Sequence, residues 1–542
     1  MCSFYRENKK WICLMTIIMM LQLVVASYFC MQKQGFHYDE YYSYYSSNVT
    51  YGLVPTDREW KDVDEIRSEF RVLEGEGFRY GLVKTMQSYD VHPPLYYMIL
   101  HTICSFFPGV FSKWLGLGIN LVLSIICNIM LTYIAYQLFD KNKKMATICS
   151  LLFGFQVGVI SGITFIRMYM LLTMWCLTVI IWHIPFWNKE MKLNLKKGVA
   201  LFVPVMLGFL THYYFAVFMF FLAAFTCLYH WFIGKNFKGS VCYGSVVCAG
   251  MAAAVLYYPS CLSHIFRGYR GTEATGAFFD LGNTLFRLRF FTELMNQSVF
   301  GGVLLFVLLV TLLLALTVWA KNKNKIKMKG FIAKHQGMVQ IGFVTVGYFF
   351  VVAKTALMNA EEANRYELPI YGFCMLLVVG VIYHLLNKMS QGNLTSAKNC
   401  GKNQKVPSMV GWSMLLLVLV AQLFALKQGK VQFLYPEDKI NVAWAAEHKD
   451  STIVYFYNPN NVWMIWDEAE ELMQYERIYF VNLADESLLE EKELLSADEL
   501  YIYTSRMDQA EKLMLDLIEK NPDLNTKVKI RELLYCDLYQ LN

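Results

Sequence analysis

At 542 residues, with 56% hydrophobic and 17% charged residues and a mean hydropathy of +0.34, the chain is too apolar for a soluble domain, where about 25% of residues are charged. Many of its runs approach the roughly 20 apolar residues that cross a bilayer, so it reads as a polytopic α-helical membrane protein. The formal net charge of +6 is uninformative as a total, and nothing in its pattern points to nucleic acid. The 14 cysteines fall mostly inside apolar runs and form no CxxC, which indicates neither a disulfide framework nor a zinc site.

The first apolar run, about 11–31, follows Arg6, Lys9 and Lys10. It lacks a small-x-small cleavage site and is long, so it reads as a retained helix. Directly after it comes His37-Tyr38-Asp39-Glu40-Tyr41-Tyr42. Two adjacent carboxylates at a membrane surface are costly to dehydrate, and they usually hold a proton, a cation or a substrate. The rings around them could pack against a sugar. Some fifty residues later His92-Pro93-Pro94-Leu95-Tyr96-Tyr97 opens the apolar stretch 93–107. That stretch is short for a span, and its prolines resist a continuous helix, so a surface helix is expected.

Lysine clusters punctuate the later apolar runs: Lys141, Lys143 and Lys144; Lys189, Lys192, Lys196 and Lys197; Lys235 and Lys238; five lysines over 321–329; then Lys388, Lys398, Lys402 and Lys405. The positive-inside rule puts all of them in the cytoplasm with the N-terminus. About eleven spans satisfy that pattern: 11–31, 112–138, 145–162, 168–187, 198–212, 213–233, 240–260, 300–320, 337–357, 368–387 and 409–427. The outer face then holds a first loop over 32–92, a loop over 261–298 and everything after 428. Of the Asn-x-Ser/Thr sequences, Asn48 and Asn296 fall outside and Asn393 inside.

After 428 the composition becomes that of a water-soluble domain. Residues 452–457, 477–481, 499–504 and 527–535 read as strands, while 462–475 and 507–520 have helical spacing. The expected organisation is a transmembrane domain over 1–427, with its first outer loop and surface helix, and an extracytoplasmic α/β domain over 428–542. The small domain carries no phosphate loop and no nucleophile elbow, and is read as accessory.

On this topology five polar groups reach one face: Asp39-Glu40, His92, Arg167 with Tyr169, His212-Tyr213, and Arg365-Tyr366 near Lys354. Each also has a plain reading. His92 can cap the turn before the prolines. Arg167, Arg365 and Lys354 can snorkel to lipid phosphates, and His212-Tyr213-Tyr214 can belong to an aromatic belt. The combination on one side carries the argument for a shared polar cavity.

The acidic pair, the following HPPLYY (His92 to Tyr97), the Arg167-Met168-Tyr169 run, His212-Tyr213-Tyr214 and the Arg365-Tyr366-x-Leu-Pro-Ile-Tyr run together resemble polytopic glycosyltransferases of the GT-C type. The resemblance is to glycosyltransferase family 39 and its bacterial relatives, which include protein O-mannosyltransferases and the aminoarabinose transferases of lipid A. It covers about 11–390. It implies a polyprenyl-phosphate-sugar donor and transfer to a hydroxyl acceptor (on a glycan, lipid or protein) at the extracytoplasmic face of the plasma membrane. It also implies a catalytic carboxylate in the first outer loop, Asp39 or Glu40, with Asp39 the better candidate. Arg167, Lys354, Arg365 and Tyr366 would then hold the lipid phosphate. His92, Tyr97, Tyr169, His212 and Tyr213 would line the substrate. A divalent metal is left open: His37, Asp39, Glu40 and His92 supply donors, but their spacing matches no metal signature. The competing readings are a lipid-linked glycan ligase or polymerase, and a transporter or lipid flippase. The second lacks the paired, interrupted halves of many transporters.

Overall fold

The computed structural model describes residues 2–48, 56–187, 191–321, 328–391, 405–485 and 487–542. The sites at Lys189, Lys323, Lys325, Lys327, Asn393, Lys398 and Lys402 lie outside these residues. The chain divides into two compact units. One comprises Met1–Cys30, Gln87–Tyr96 and Gly116–Gln432; the other comprises Met31–Met86, Tyr97–Leu115 and Phe433–Asn542.

The first unit is helical. Among the described residues eight helices are long and apolar enough to cross a membrane: Asn8–Gln32, Lys113–Leu138, Tyr169–Phe186, Tyr214–Ile233, Phe237–Tyr257, Gln336–Thr355, Leu368–Lys388 and Met409–Lys427. Two further pairs are bent, Lys143–Gly154 with Val157–Thr164 by 53° and Thr284–Phe300 with Leu304–Trp319 by 84°. This is a multi-pass membrane protein. The remaining expected span, 198–212, is the helix Leu195–Phe209, 15 residues long. At 1.5 Å per residue it falls short of the roughly 30 Å hydrocarbon core.

Polar side chains knit the bundle. Helix Lys113–Leu138 buries Asn120, Ser124, Asn128 and Thr132, four residues apart and therefore on one face. Asn128 Nδ2 donates to Gln22 Oε1 (2.6 Å) and to the Ser150 carbonyl (3.3 Å). Such interhelical bonds replace the hydrophobic drive that lipid removes. Asn120 Nδ2 donates to the carbonyls of Ile163 (3.2 Å) and Phe165 (2.6 Å), fixing the break between Thr164 and Tyr169 where Arg167 sits. The bend after Gly154 is held by Gln422, whose Oε1 accepts from the Val157 amide at 2.7 Å. The sharper bend turns on Gly301 and Gly302, with φ of 63° and 89°, a region open to glycine. Asn296 Oδ1 accepts from Leu304 N across it. The segment expected as an outer loop over 261–298 is largely helical: Ser260–Phe266, Tyr269–Phe279 and Thr284–Phe300.

The second unit is built on one sheet, ordered β1-β3-β2-β4-β6-β5. Its strands are β1 Glu59–Asp62, β2 Ile453–Tyr457, β3 Arg477–Asn482, β4 Leu500–Ser505, β5 Lys527–Glu532 and β6 Cys536–Leu541. The centre β3-β2-β4 is parallel and both β2 and β4 are wholly buried, which is why they read as near-continuous apolar runs. The stretch 527–535 is only the first arm of an antiparallel hairpin with β6. β1 comes from the first loop and pairs antiparallel with β3. Helix Asp508–Lys520 seats Ala510, Leu513, Met514 and Leu517 in the core with Val454, Phe456, Val481 and Ile502. The stretch after the His-Pro-Pro sequence is a helix of 11 residues, Leu95–Ser105, too short to span.

Candidate functional site

In the second unit the acidic pair opens helix Tyr38–Asn48. His37 is its N-cap: the Nδ1 atom accepts from the Asp39 amide at 3.0 Å, leaving the proton of the neutral ring on Nε2. Glu40 reaches back to the His37 amide at 2.7 Å, completing a capping box. The same Glu40 oxygen accepts from Lys33 Nζ at 2.8 Å, and both side chains are 0% exposed. Lys33 also donates to the Phe433 carbonyl at 2.7 Å. Phe433 and Tyr435 both have positive φ, 64° and 49°, so a kinked backbone presents that carbonyl. The adjacent carboxylates therefore differ. Glu40 is sealed, while Asp39 stays 22% exposed, its Oδ2 3.7 Å from His37 Nδ1.

Asp438 lies directly against this turn. A Cβ on Gly35 would collide with the Asp438 carboxylate, so a larger residue there would have to displace that side chain. Burial, with the charges of Glu437, Asp467, Glu470 and Glu471, pushes the Asp438 carboxyl up to about 7. Tyr97 is buried in helix Leu95–Ser105.

In the first unit His92, Arg167, Tyr169, His212, Arg365 and Tyr366 form one contiguous cluster. Arg167 Nη2 lies 3.4 and 3.3 Å from the Nδ1 and Nε2 atoms of His92. His92 Nδ1 lies 3.0 Å from Asp90 Oδ2. A proton on Nδ1 facing Asp90 leaves Nε2 to accept from Arg167. Burial alone would raise the Asp90 carboxyl, but His92 and Arg167 hold it below the usual range. The His92 and His212 rings are 6.0 Å apart, Tyr169 is 5.4 Å from His212, and Tyr366 is 5.7 Å from Tyr169. Arg365 stacks 5.2 Å from both Phe165 and Tyr366, with Glu362 4.0 Å away, at the limit of an ion pair. Both guanidiniums are almost wholly buried, at 2% and 3% exposure. Two buried forks beside aromatic faces are suited to an anion.

The other expected residues are placed differently. Lys354 Nζ donates to the Asp280 carbonyl (2.6 Å), Asn283 Oδ1 (2.6 Å) and Thr284 Oγ1 (2.9 Å). Its three protons clamp the turn before helix Thr284–Phe300. Tyr213 OH pairs with His264 Nδ1 at 2.9 Å, and His264 Nε2 with the Ser88 carbonyl at 3.2 Å. His212 Nδ1 likewise accepts from the amide two residues on, that of Tyr214, at 3.0 Å. Sequence reasoning missed Lys33 and Asp90. Asp90-x-His92 carried a legible signal in its spacing; Lys33, at the end of an apolar run, carried none. Among the described residues no group of three or more His, Cys, Asp or Glu side chains could hold a metal.

No protein-family model and no curated protein matches the chain. A solved structure does. The crystal structure of ArnT from Cupriavidus metallidurans bound to undecaprenyl phosphate superposes with a TM-score of 0.50 at 10% identity, covering 98% of each chain. The chain has the GT-C fold. Within that fold the break at 165–169 and the short helix 360–366 bring Arg167 and Arg365 into one cluster.

Proposed function

We propose that the protein is a membrane glycosyltransferase that takes a sugar from a polyprenyl-phosphate donor and passes it to a hydroxyl acceptor. The observation that carries this is the buried cluster of Arg167 and Arg365 with His92, Tyr169 and Tyr366, in a chain whose fold is shared with a protein solved with undecaprenyl phosphate.

In this reading Asp39 is the general base. Glu40 is committed to Lys33 and the helix cap, whereas the Asp39 carboxylate reaches the surface. Asp39 takes the acceptor's proton as its oxygen bonds to the anomeric carbon, while the bond from that carbon to the phosphate oxygen breaks. Attack opposite the phosphate inverts the centre. Negative charge grows on the leaving lipid phosphate, and Arg167 and Arg365 stabilise it where water is scarce. His92, ordered by Asp90, fixes the Arg167 fork. The same reading places the N-terminus in the cytoplasm and residues after 428 outside, following the lysine pattern; a tag after residue 542 accessible from outside the cell is the expected result.

The donor half of this reading requires Arg167 and Arg365 to hold one lipid phosphate. Crosslinking a photoreactive polyprenyl phosphate to the purified full chain tests this. Labelled peptides around Arg167 and Arg365 are expected, and loss of labelling in Arg365→Ala. Labelling elsewhere, or none, would return these arginines to the role of lipid anchors.

A further inference from the structure

The second unit holds a surface that neither the capping box nor the sheet core uses. Tyr38, beside Asp39, has its ring centroid 5.5 Å from that of Trp463, and Trp463 lies 5.2 Å from Tyr535. The His37 ring extends the series, 4.0 Å from Tyr38. The three larger rings come from three separate segments: the helix Tyr38–Asn48, the 3-10 stretch Pro459–Glu468 after β2, and the turn between β5 and β6. All three are half-buried.

Local structure explains why Trp463 is there. Asn458 caps the stretch by accepting from the Asn460 amide at 3.0 Å. Asn461 then breaks the helical path, with φ of −138° and ψ of 47°. Beyond the kink Ile465 and Trp466 enter the interior, Trp466 packing 4.5 Å from Tyr42 and 4.7 Å from Tyr45. Trp463, three residues earlier, stays at the boundary. Packing alone accounts for Trp466, which is 4% exposed. Tyr38, Trp463 and Tyr535 instead keep part of their rings at the surface, in a run next to a carboxylate.

The carboxylate beside the rings narrows the ligand: Asp39 follows Tyr38 directly and is 22% exposed. The lysines of this corner are engaged, Lys33 with Glu40 and Phe433, and Lys113 with the Lys33 carbonyl. An acidic sugar or a phosphate meets repulsion here. A neutral or amine-bearing sugar does not: its C–H face packs on the rings and its hydroxyls or amine donate to carboxylates.

We propose that Tyr38, Trp463 and Tyr535 form the acceptor platform, and that the acceptor is a carbohydrate without acidic groups, held with a hydroxyl toward Asp39. This rests on the transferase reading and names its acceptor class. It assigns the C-terminal unit a direct part in recognition.

The test uses the full chain in lipid nanodiscs without donor. Binding of maltotetraose, chitotetraose and tetragalacturonate is followed by saturation-transfer NMR and titration, with a serine-containing peptide as the non-carbohydrate probe. A neutral or acetamido tetrasaccharide should bind, tetragalacturonate should not, and Trp463→Ala should weaken binding at least tenfold. Trp463→Phe, which keeps an aromatic ring, should retain most of it, and thermal unfolding checks that both variants fold. No tetrasaccharide binding, unchanged binding in Trp463→Ala, or binding of the peptide on these rings in place of the sugars would each overturn the proposal. Polyprenyl phosphate binding is measured on the same sample: if it persists while no sugar binds, the platform falls and the transferase reading stands.

Discussion

Two corners of the molecule set a carboxylate beside a cation, and they are built in opposite ways. Lys33 and Glu40 are 0% exposed, and each has a further partner in the backbone. Asp90 and His92 are each 21% exposed, and His92 is shared with a nearly buried Arg167. A buried pair repays its desolvation only when its remaining valences are met. The first corner meets them and becomes a rivet for the loop that carries Asp39. The second shares one histidine between Asp90 and Arg167, and in the proposed reading the donor phosphate joins them. Saturation marks structure, and a shared partner marks a place where chemistry can enter.

The largest effect that sharpens this contrast is on Asp39. Asp39→Asn keeps the shape of the turn and removes the proposed base, so transfer should fall by about 10²–10⁴-fold, while stability changes by no more than about 0.5 kcal/mol. Near-normal turnover would move the base elsewhere and dissolve the distinction between Asp39 and Glu40. Next comes the rivet itself. Lys33→Met strands the Glu40 charge and should cost about 3–5 kcal/mol, read by unfolding in detergent. Lys33→Met with Glu40→Gln should recover much of that loss; failure to recover would mean that Lys33 acts through packing on Phe36 and Tyr435.

At the second corner the expected effect is on affinity. Arg365→Ala should weaken polyprenyl phosphate binding by about 10–100-fold, one charge-assisted hydrogen bond being worth about 1.5–3 kcal/mol. Unchanged binding in a titration would leave Arg365 as a residue that only packs Phe165 and Tyr366.

Much of the fold was legible because lipid imposes one rule, that apolar helices carry their own backbone bonds. Lysine placement then gave them an expected orientation. What escaped was set by single contacts far apart in sequence. Gln422 capping Val157 and Asn296 capping Leu304 turn expected spans into bent ones, and no periodicity encodes either. β1 was hidden because Glu59-Trp60-Lys61-Asp62 is a short, polar edge strand whose partner lies over 400 residues away. The residue types proposed for the site were visible in their motifs, but their division of labour was not. Glu40 and Asp39 are neighbours in sequence, and the positions of Lys33 and the His37 amide separate them. Lys354 likewise reads as one more interfacial cation until the acceptors at 280–284 are seen to use all three of its protons.

The smallest effect tests the acidic ground beneath the Asp39 turn. Burial and like charges raise the folded Asp438 carboxyl to about 7 from an ordinary 3.8. The folded state therefore holds a proton that the unfolded state has released, so this group's contribution to stability falls as pH rises from about 4 to about 7 and is level above that. Asp438→Asn keeps the contact with Gly35 and removes the titration. At pH 8 it should be more stable than the parent by about 1 kcal/mol, part of the full shift being screened by solvent at a half-buried site; at pH 4 the two should coincide. Glu69, buried and raised to about 8, gives the parent a slope in the same direction that this substitution leaves in place. The measurement is thus the difference between two unfolding curves across pH 4–8. An unchanged difference would mean that Asp438 is ionised at neutral pH in the folded chain, and that the turn holding Asp39 tolerates a full negative charge against its backbone.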